Sequence, residues 1–359
     1  VKKIQRAYKF RLRPNEDQKN LLGKHFGCVR FVYNHFLKQR QEQYQKEKKS
    51  DNYFAQAKSL TKLKKELTWL KEVNSQSVQH ALRNLEIAYV NFFRGNSKFP
   101  NYKSKRKKNS FHVPQSIKLE NGKIYFPKFK NGIKVKQHRE INGEIRNFTI
   151  SKTQSGKYYV SILVKEEYQP KEKTNQKVGI DLGLKELIIT SDDMRFKNHR
   201  FLKKHEKELA TAQKHLSRKQ KDSNLYLRQK KKVALIHEKI ANCRHDNLHK
   251  ISNKLICDYD IICCEDLNVK GMVKNHKLAK HISDASWGTF IQYLSYKAEW
   301  NDRQVVKINR FFPSSKTCNI CGWINQELKL SDRKWTCANG HELDRDLNAA
   351  KNILDEGLN

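Results

Sequence analysis

The stretch Val178-Gly179-Ile180-Asp181-Leu182-Gly183 decides how this chain folds. It is a short apolar run closing on a carboxylate and punctuated by glycine, the pattern of a buried strand whose end carries an acid. Such an acid is costly to place unless water or a metal ion satisfies it. Downstream, residues 261–264 form a second buried strand that ends in Glu265, and Asp346 opens a predicted helix over 347–354. Between and beyond these, residues 187–190 read as a strand, followed by a turn at Ser191-Asp192-Asp193. Apolar spacing at Val233, Ile236, Ile240, Leu248, Ile251 and Leu255 predicts a two-helix hairpin from 199 to about 258, broken near 222–224. An amphipathic helix over 287–300 and a strand over 305–308 complete an α/β half.

Taken singly, each acid reads as a turn cap or an ion-pair partner. The strand-end context of Asp181, the second strand-end acid Glu265 and the third at a helix start together favour one shared oxygen-rich pocket suited to Mg²⁺. A pair of such ions, about 4 Å apart, would clamp the attacking and leaving oxygens of a phosphodiester. Asp344 is expected to support Asp346 from beside it, Asp266 is a weaker candidate, and Asp192-Asp193 is expected to be a solvated turn.

Cys318-x-x-Cys321 and Cys337-x-x-x-His341 are spaced as four ligands of a tetrahedral zinc ion. Four protein ligands leave no open position, so that site is expected to be structural. His341 is the weakest of the four, because a cysteine at position 340 is the commoner arrangement and this chain has Gly340. The remaining cysteines form no disulfide framework, in keeping with a reducing, cytoplasmic compartment.

The amino-terminal half reads differently. Ile4, Tyr8, Phe10 and Leu12 alternate onto one face of an opening strand, Asn15 and Gln18 form a capping box, and helical patterning runs to about Phe93. Residues 94–114 are expected to be an exposed basic loop. From 117 to 164, turn pairs at 121–122, 131–132, 142–143 and 155–156 predict small antiparallel sheet or barrel structure. A polar linker is expected over 166–176.

The 359 residues carry 74 Lys and Arg against 37 Asp and Glu, a net charge of +37. A folded chain so charged calls for a polyanion, and nucleic acid is the obvious one. The absence of a transmembrane-length apolar run argues against a membrane surface, and the amino terminus does not read as a signal peptide. Lys103, Lys105, Arg106, Lys107 and Lys108 in one run, and Arg218 and Lys219 in another, are candidates for tracking phosphates, with Tyr102, Phe111 and Tyr226 placed to stack on bases.

Five motifs carry a resemblance across nearly the whole chain: Ala7-Tyr8-Lys9-Phe10-Arg11-Leu12, Gly179-Ile180-Asp181-Leu182-Gly183, Glu265-Asp266-Leu267-Asn268-Val269, Phe312-Pro313-Ser314-Ser315-Lys316-Thr317-Cys318, and Leu343-Asp344-Arg345-Asp346-Leu347-Asn348-Ala349-Ala350. In sequence and order they resemble the TnpB family of bacterial insertion sequences, relatives of type V CRISPR effectors and Fanzor proteins. The resemblance implies a multidomain α/β protein. Residues 1–13 and 110–170 would form a wedge-like β-barrel, interrupted by a helical recognition segment at 14–109. An RNase H-like (RuvC) nuclease domain would span 176–313 and 343–359, with a zinc ribbon that binds target nucleic acid inserted at 314–342. It further implies Asp181, Glu265 and Asp346 as a catalytic triad with two Mg²⁺ ions, and one structural Zn²⁺. The implied partners are a guide RNA from the element's own end and double-stranded target DNA bearing a short adjacent motif, with a bacterial, nucleoid-associated location.

Competing readings are a nuclease-inactive RNA-guided repressor, against which the three acids argue, and a DNA transposase with an RNase H-like core. The transposase usually runs Asp, Asp, Glu, whereas here Glu265 stands in the middle. A Holliday-junction resolvase needs neither the amino-terminal half nor the ribbon.

Overall fold

A computed structural model of the chain describes every residue except Lys108 and Leu330. The chain forms two compact units, Lys3–Glu167 and Tyr168–Asn359, with Val1–Lys2 grouped with the latter. Among the described residues no helix is long and apolar enough to cross a membrane.

The first unit runs β1 (Lys2–Arg13), α1 (Glu16–Glu47), α2 (Tyr53–Glu66), a 3₁₀ turn (Thr68–Glu72), α3 (Ser75–Phe93), then β2 (Asn109–Val113), β3 (Lys118–Glu120), β4 (Lys123–Phe126), β5 (Phe129–Lys136), β6 (Glu144–Lys152) and β7 (Tyr158–Tyr168). Its strands make one sheet in the order β2-β6-β7-β1-β5-β4-β3, so the first strand of the chain lies at the centre. Alternation places Ile4, Tyr8, Phe10 and Leu12 inside, as their spacing predicts. The Asn15 side chain accepts from Gln18 N at 2.8 Å, and Gln18 Oε1 accepts from Asn15 N at 3.1 Å, which starts α1 where the capping box predicts. The three helices pack on a core of their own around Val32, Phe36, Leu37, Leu82 and Leu85.

Two expectations need correction here. Residues 94–114 are not loop throughout: β2 pairs with β6 from Asn109 opposite Lys152 to Val113 opposite Phe148. The basic run masks the strand, because only Phe111 and Val113 of its five residues are apolar and buried. Asn131-Gly132 does not end a strand but lies inside β5. The hairpin turns instead at Pro127-Lys128, with Lys128 left-handed at φ 76° and Phe126 paired to Phe129.

The second unit runs β8 (Lys177–Leu182), β9 (Glu186–Thr190), β10 (Arg195–Lys197), α4 (Phe201–Lys204), α5 (Glu206–Ser217), α6 (Asn224–Asp258), β11 (Ile261–Glu265), α7 (Val269–Met272), α8 (His276–Ala285), α9 (Trp287–Trp300), β12 (Gln304–Ile308), β13 (Lys334–Thr336), β14 (Glu342–Asp344) and α10 (Arg345–Leu358). Its main sheet has the order β10-β9-β8-β11-β12. Strands β8, β11 and β12 are parallel, while β9 and β10 continue antiparallel. One face buries Val178, Ile180, Ile262 and Cys264 against Leu248, Leu255, Phe290 and Leu294 of α6 and α9. The opposite face takes α10.

That second contact depends on a missing side chain. A Cβ on Gly179 would lie 2.1 Å from Ala350 O and 2.6 Å from Leu354 N, so only glycine lets the helix backbone lie against the strand. A methyl group there cannot be absorbed by a rotamer change, since the clash is with backbone. Gly179→Ala is therefore expected to cost about 3 kcal/mol or more and to lower the thermal midpoint by several degrees, read by calorimetry. An unchanged midpoint would mean that α10 does not seat on β8 this way.

Candidate functional site

Strand parity brings the three acids to one place. Side chains two apart on a strand share a face, about 6.6 Å from one another, so Asp181 lies on the α10 side with Gly179. One helical turn is about 5.4 Å, so the residue one turn before Ala350, which meets Gly179, is Asp346. On the neighbouring parallel strand Cys263 is opposite Gly179 and Cys264 opposite Ile180, which carries Glu265 on to the level of Asp181. Cys263 packs with Ile308 and Ile353, confirming that its side of β11 faces α10. The acids predicted from separate segments thus converge.

Their crowding is visible in Asp181. Burial, then the negative charges of Glu265 and Asp346, raise its carboxyl pKa to about 7, against the opposing pull of Arg345 and a hydrogen bond from Leu182 N–H. Each neighbour is held by a partner of its own. Ser314 Oγ donates to Glu265 Oε1 at 2.7 Å. Arg333 Nη1 donates to both Asp346 oxygens, at 3.0 and 3.2 Å. Asp344 caps α10, accepting from Asp346 N at 3.1 Å and Leu347 N at 3.0 Å, and pairs with Arg195 at 3.3 Å. It supports Asp346 by starting the helix on which that acid rides. Three converging carboxylates, one of them unfavourable to ionise without a cation, form a donor set suited to a hard divalent ion.

Asp266 pairs with Lys307 and Arg310. Asp192 and Asp193 flank a turn, but Asp192 is not merely solvated: it accepts from Thr190 Oγ1 and from Tyr259 OH.

The second cluster is Cys318, Cys321, Cys337 and His341, whose ligand atoms all lie within 4.8 Å of one another. His341 Nδ1 is 3.2 Å from Cys337 Sγ and 3.7 Å from Cys318 Sγ, and Cys321 Sγ is 3.7 Å from Cys337 Sγ. The weakest predicted ligand therefore belongs to the set. The extra residue before it is taken up by Gly340, left-handed at φ 81°, whose N–H donates to Cys337 O at 2.9 Å. A hydrogen bond from Trp323 N–H is the largest influence lowering the Cys321 thiol to about 6, which favours the thiolate that binds metal.

The two clusters are physically joined. From α10, Asn348 Nδ2 donates to Thr317 O at 2.7 Å, and Asn352 Nδ2 donates to Ser314 O at 2.7 Å and Thr317 O at 2.6 Å. Both asparagines are buried. They clasp the segment that begins at Ser314, the partner of Glu265, and ends at Cys318. Sequence reasoning missed Ser314, Asn348 and Asn352 as individual contributors, although all but Asn352 lie inside the quoted motifs. Arg333 stands in a polar loop and carried no signal.

Of the basic candidates, Lys103, Lys105, Arg106 and Lys107 are exposed, as are Arg218 and Lys219 at the end of α5; Lys108 lies outside the described residues. Tyr102 is exposed and Tyr226 half-buried. Phe111 is not a stacking candidate, because it is buried against His25 and Phe26.

Comparison with known proteins places the chain. A family model described as a probable transposase, OrfB of IS605, matches residues 159–276. Others match residues 287–353, described as a Cas12f1-like TNB domain, and residues 4–49, described as a helix-turn-helix domain. A Streptomyces pristinaespiralis protein named "Putative RNA-guided DNA endonuclease" is 37% identical over 364 residues, covering 100% of this chain and 90% of that protein. An Escherichia coli (strain K12) protein of the same description, InsQ, is 34% identical over 378 residues, covering 99% and 93%. A chain in the cryo-EM structure of a Cas12f1–sgRNA–target DNA complex aligns at TM-score 0.50 and 12% identity, over 98% of both chains, a likeness of fold. The chain belongs to the family of TnpB and OrfB of IS605.

Two measurements check the site. The folded Asp181 value lies above its unfolded one, so the metal-free protein has this contribution in full below about pH 4 and loses it as pH rises through about 7. In chelator, wild type should therefore lose more thermal stability than Asp181→Asn between pH 5 and 8, and Mg²⁺ at pH 8 should raise the wild-type midpoint alone. Parallel pH curves would refute the crowding. Separately, metal analysis of purified protein should find one tightly held ion per chain, largely lost in His341→Ala and kept in His341→Cys.

Proposed function

We propose that this chain is an RNA-guided DNA endonuclease encoded by an insertion sequence, hydrolysing DNA phosphodiesters at Asp181, Glu265 and Asp346. The observation that carries the reading is the convergence of those three acids on one sheet face, in a chain of net charge +37 collinear with the two endonuclease-named relatives.

On this reading the β8–β12 sheet with α10 is a RuvC-type RNase H-like core, formed by residues 176–313 and 343–359. The mixed strand order, with one antiparallel arm beside three parallel strands, supports it. Residues 314–342 form a ribbon that holds one Zn²⁺ through Cys318, Cys321, Cys337 and His341. The sheet of the first unit is the wedge-like barrel, and α1 to α3 are the recognition segment. A guide RNA pairs with the target, supplying sequence, while exposed lysines and arginines supply backbone affinity for RNA and duplex DNA.

The three carboxylates would hold Mg²⁺, which when bound supplies Lewis-acid stabilisation of the charge that builds during phosphodiester displacement. The chain's own residues prepare for that. Ser314 fixes the orientation of Glu265, and Asp344 fixes the helix start that presents Asp346. Arg333 balances Asp346 and keeps a guanidinium beside the carboxylates, where a phosphate would enter. Its raised pKa of about 7 leaves Asp181 only partly ionised near neutral pH.

Asp181→Ala should lower Mg²⁺-dependent cleavage at least about a hundredfold, while RNA and target binding persist in gel-shift assays. A discrete RNA, matching sequence beyond the end of the element, should co-purify with the protein when it is expressed beside its flanking DNA. Cleavage that survives in Asp181→Ala would remove the assigned site, and strand transfer without RNA would replace the reading with that of a transposase.

A further inference from the structure

The first unit contains a cavity of about 780 Å³, within the usual range for a ligand site, between the carboxyl-terminal half of α1 and the end of α3. Its wall is aromatic. Tyr89 stacks with Phe93 at 6.2 Å between ring centres, and Phe99 stands edge-on to both Tyr89 and Phe92. Yet Phe93 is 77% exposed and Tyr44 55% exposed, so large ring faces are presented to solvent.

The chain beside the wall is fixed in place. Gly95 N–H donates to Phe92 O at 2.9 Å, and Asn96 and Ser97 N–H both donate to Asn91 O, pinning the chain between Phe93 and Phe99. Cations border the same cavity. Lys48 Nζ lies 5.6 Å from the Tyr44 ring centre, and Arg40, itself 96% buried, lies over Tyr89. The Arg40 guanidinium pairs with Glu86. The chain leaving the cavity, residues 94–107, contains Arg94, Lys98, Lys103, Lys105, Arg106 and Lys107 and no acid.

We propose that this cavity binds an unpaired nucleobase of the RNA partner, stacked on Phe93 and Tyr44, with the flanking phosphates running along residues 94–107. An apolar protein plug would suit an apolar rim, and this rim is cationic. Unpaired RNA bases splayed from loops and ends use this combination of aromatic faces and arginine. The inference rests on the RNA-guided reading above and adds to it a built pocket for one nucleotide.

The test uses the full-length ribonucleoprotein with its co-purified RNA. Ultraviolet irradiation, nuclease digestion and mass spectrometry should place a ribonucleotide adduct on the peptides carrying Tyr44 or Phe93. The double variant Tyr44→Ala/Phe93→Ala, whose side chains are exposed, should fold with an unchanged melting curve and bind that RNA roughly tenfold more weakly. Phe93→Trp should retain binding, with its fluorescence quenched by RNA. Discrete RNA and guided cleavage with no adduct and unchanged RNA affinity in the double variant would overturn this inference and leave the endonuclease reading standing. Quenching by target DNA alone, or a change in oligomeric state without a change in RNA affinity, would assign the cavity to another occupant. Failure of any RNA to co-purify would overturn both.

Discussion

The arrangement of the second unit depends on a backbone-to-backbone approach of α10 to β8 at Gly179. Helix α10 carries Asp346 and, on its buried side, Ala349, Ala350 and Ile353. Any side chain at Gly179 would hold this helix away, and the acid near its start would withdraw from Asp181. A second glycine repeats the device further along the helix: a Cβ on Gly357 would lie 2.5 Å from Cys263 Sγ. The small residues therefore set the distance at which like charges are forced together. Burial, together with that enforced proximity, raises the Asp181 carboxyl above its usual range.

The same helix is the mechanical link to the cysteine–histidine cluster. Asn348 and Asn352 lie one turn apart and hold the carbonyls of Ser314 and Thr317, so the segment entering the cluster is fixed to the helix bearing Asp346. Ser314 then reaches Glu265, and Arg333 returns from the far side of the cluster to Asp346. A metal held at the cysteines would stabilise more than its own loops. It would fix two of the groups that orient the acids, and the carboxylates and the cysteine–histidine segment form one polar network.

Much of this was legible in the sequence because the informative residues are local. Buried parallel strands are short apolar runs, and β8 and β11 announce themselves with an acid at the end of each. The capping box at Asn15 and the metal-ligand spacing are likewise local patterns. What was not legible depends on distant partners. Strand β2 is specified by pairing with β6 and is hidden by the lysines before it, which also disguised Phe111 as a surface aromatic. The Asn131-Gly132 pair has the composition of a turn, but its long-range pairing keeps it inside β5. Helix α8 has few apolar residues, and its Ile282 and Ala285 are buried only by packing in the core with α6 and α9. Arg333 is an ordinary exposed arginine until folding places Asp346 beside it.

Because a polypeptide is made from its amino end, the order of the acids along the chain is also an order in time. Strands β8 and β11 leave the ribosome with Asp181 and Glu265 while α10 has yet to be made, and the segment carrying the cysteines must follow before Asp346 can dock. Until then the sheet has two acids and an uncovered face, with no complete site. Placing the third acid on α10, downstream of both strands, makes its docking a later step than theirs, a built-in delay in bringing the three carboxylates together.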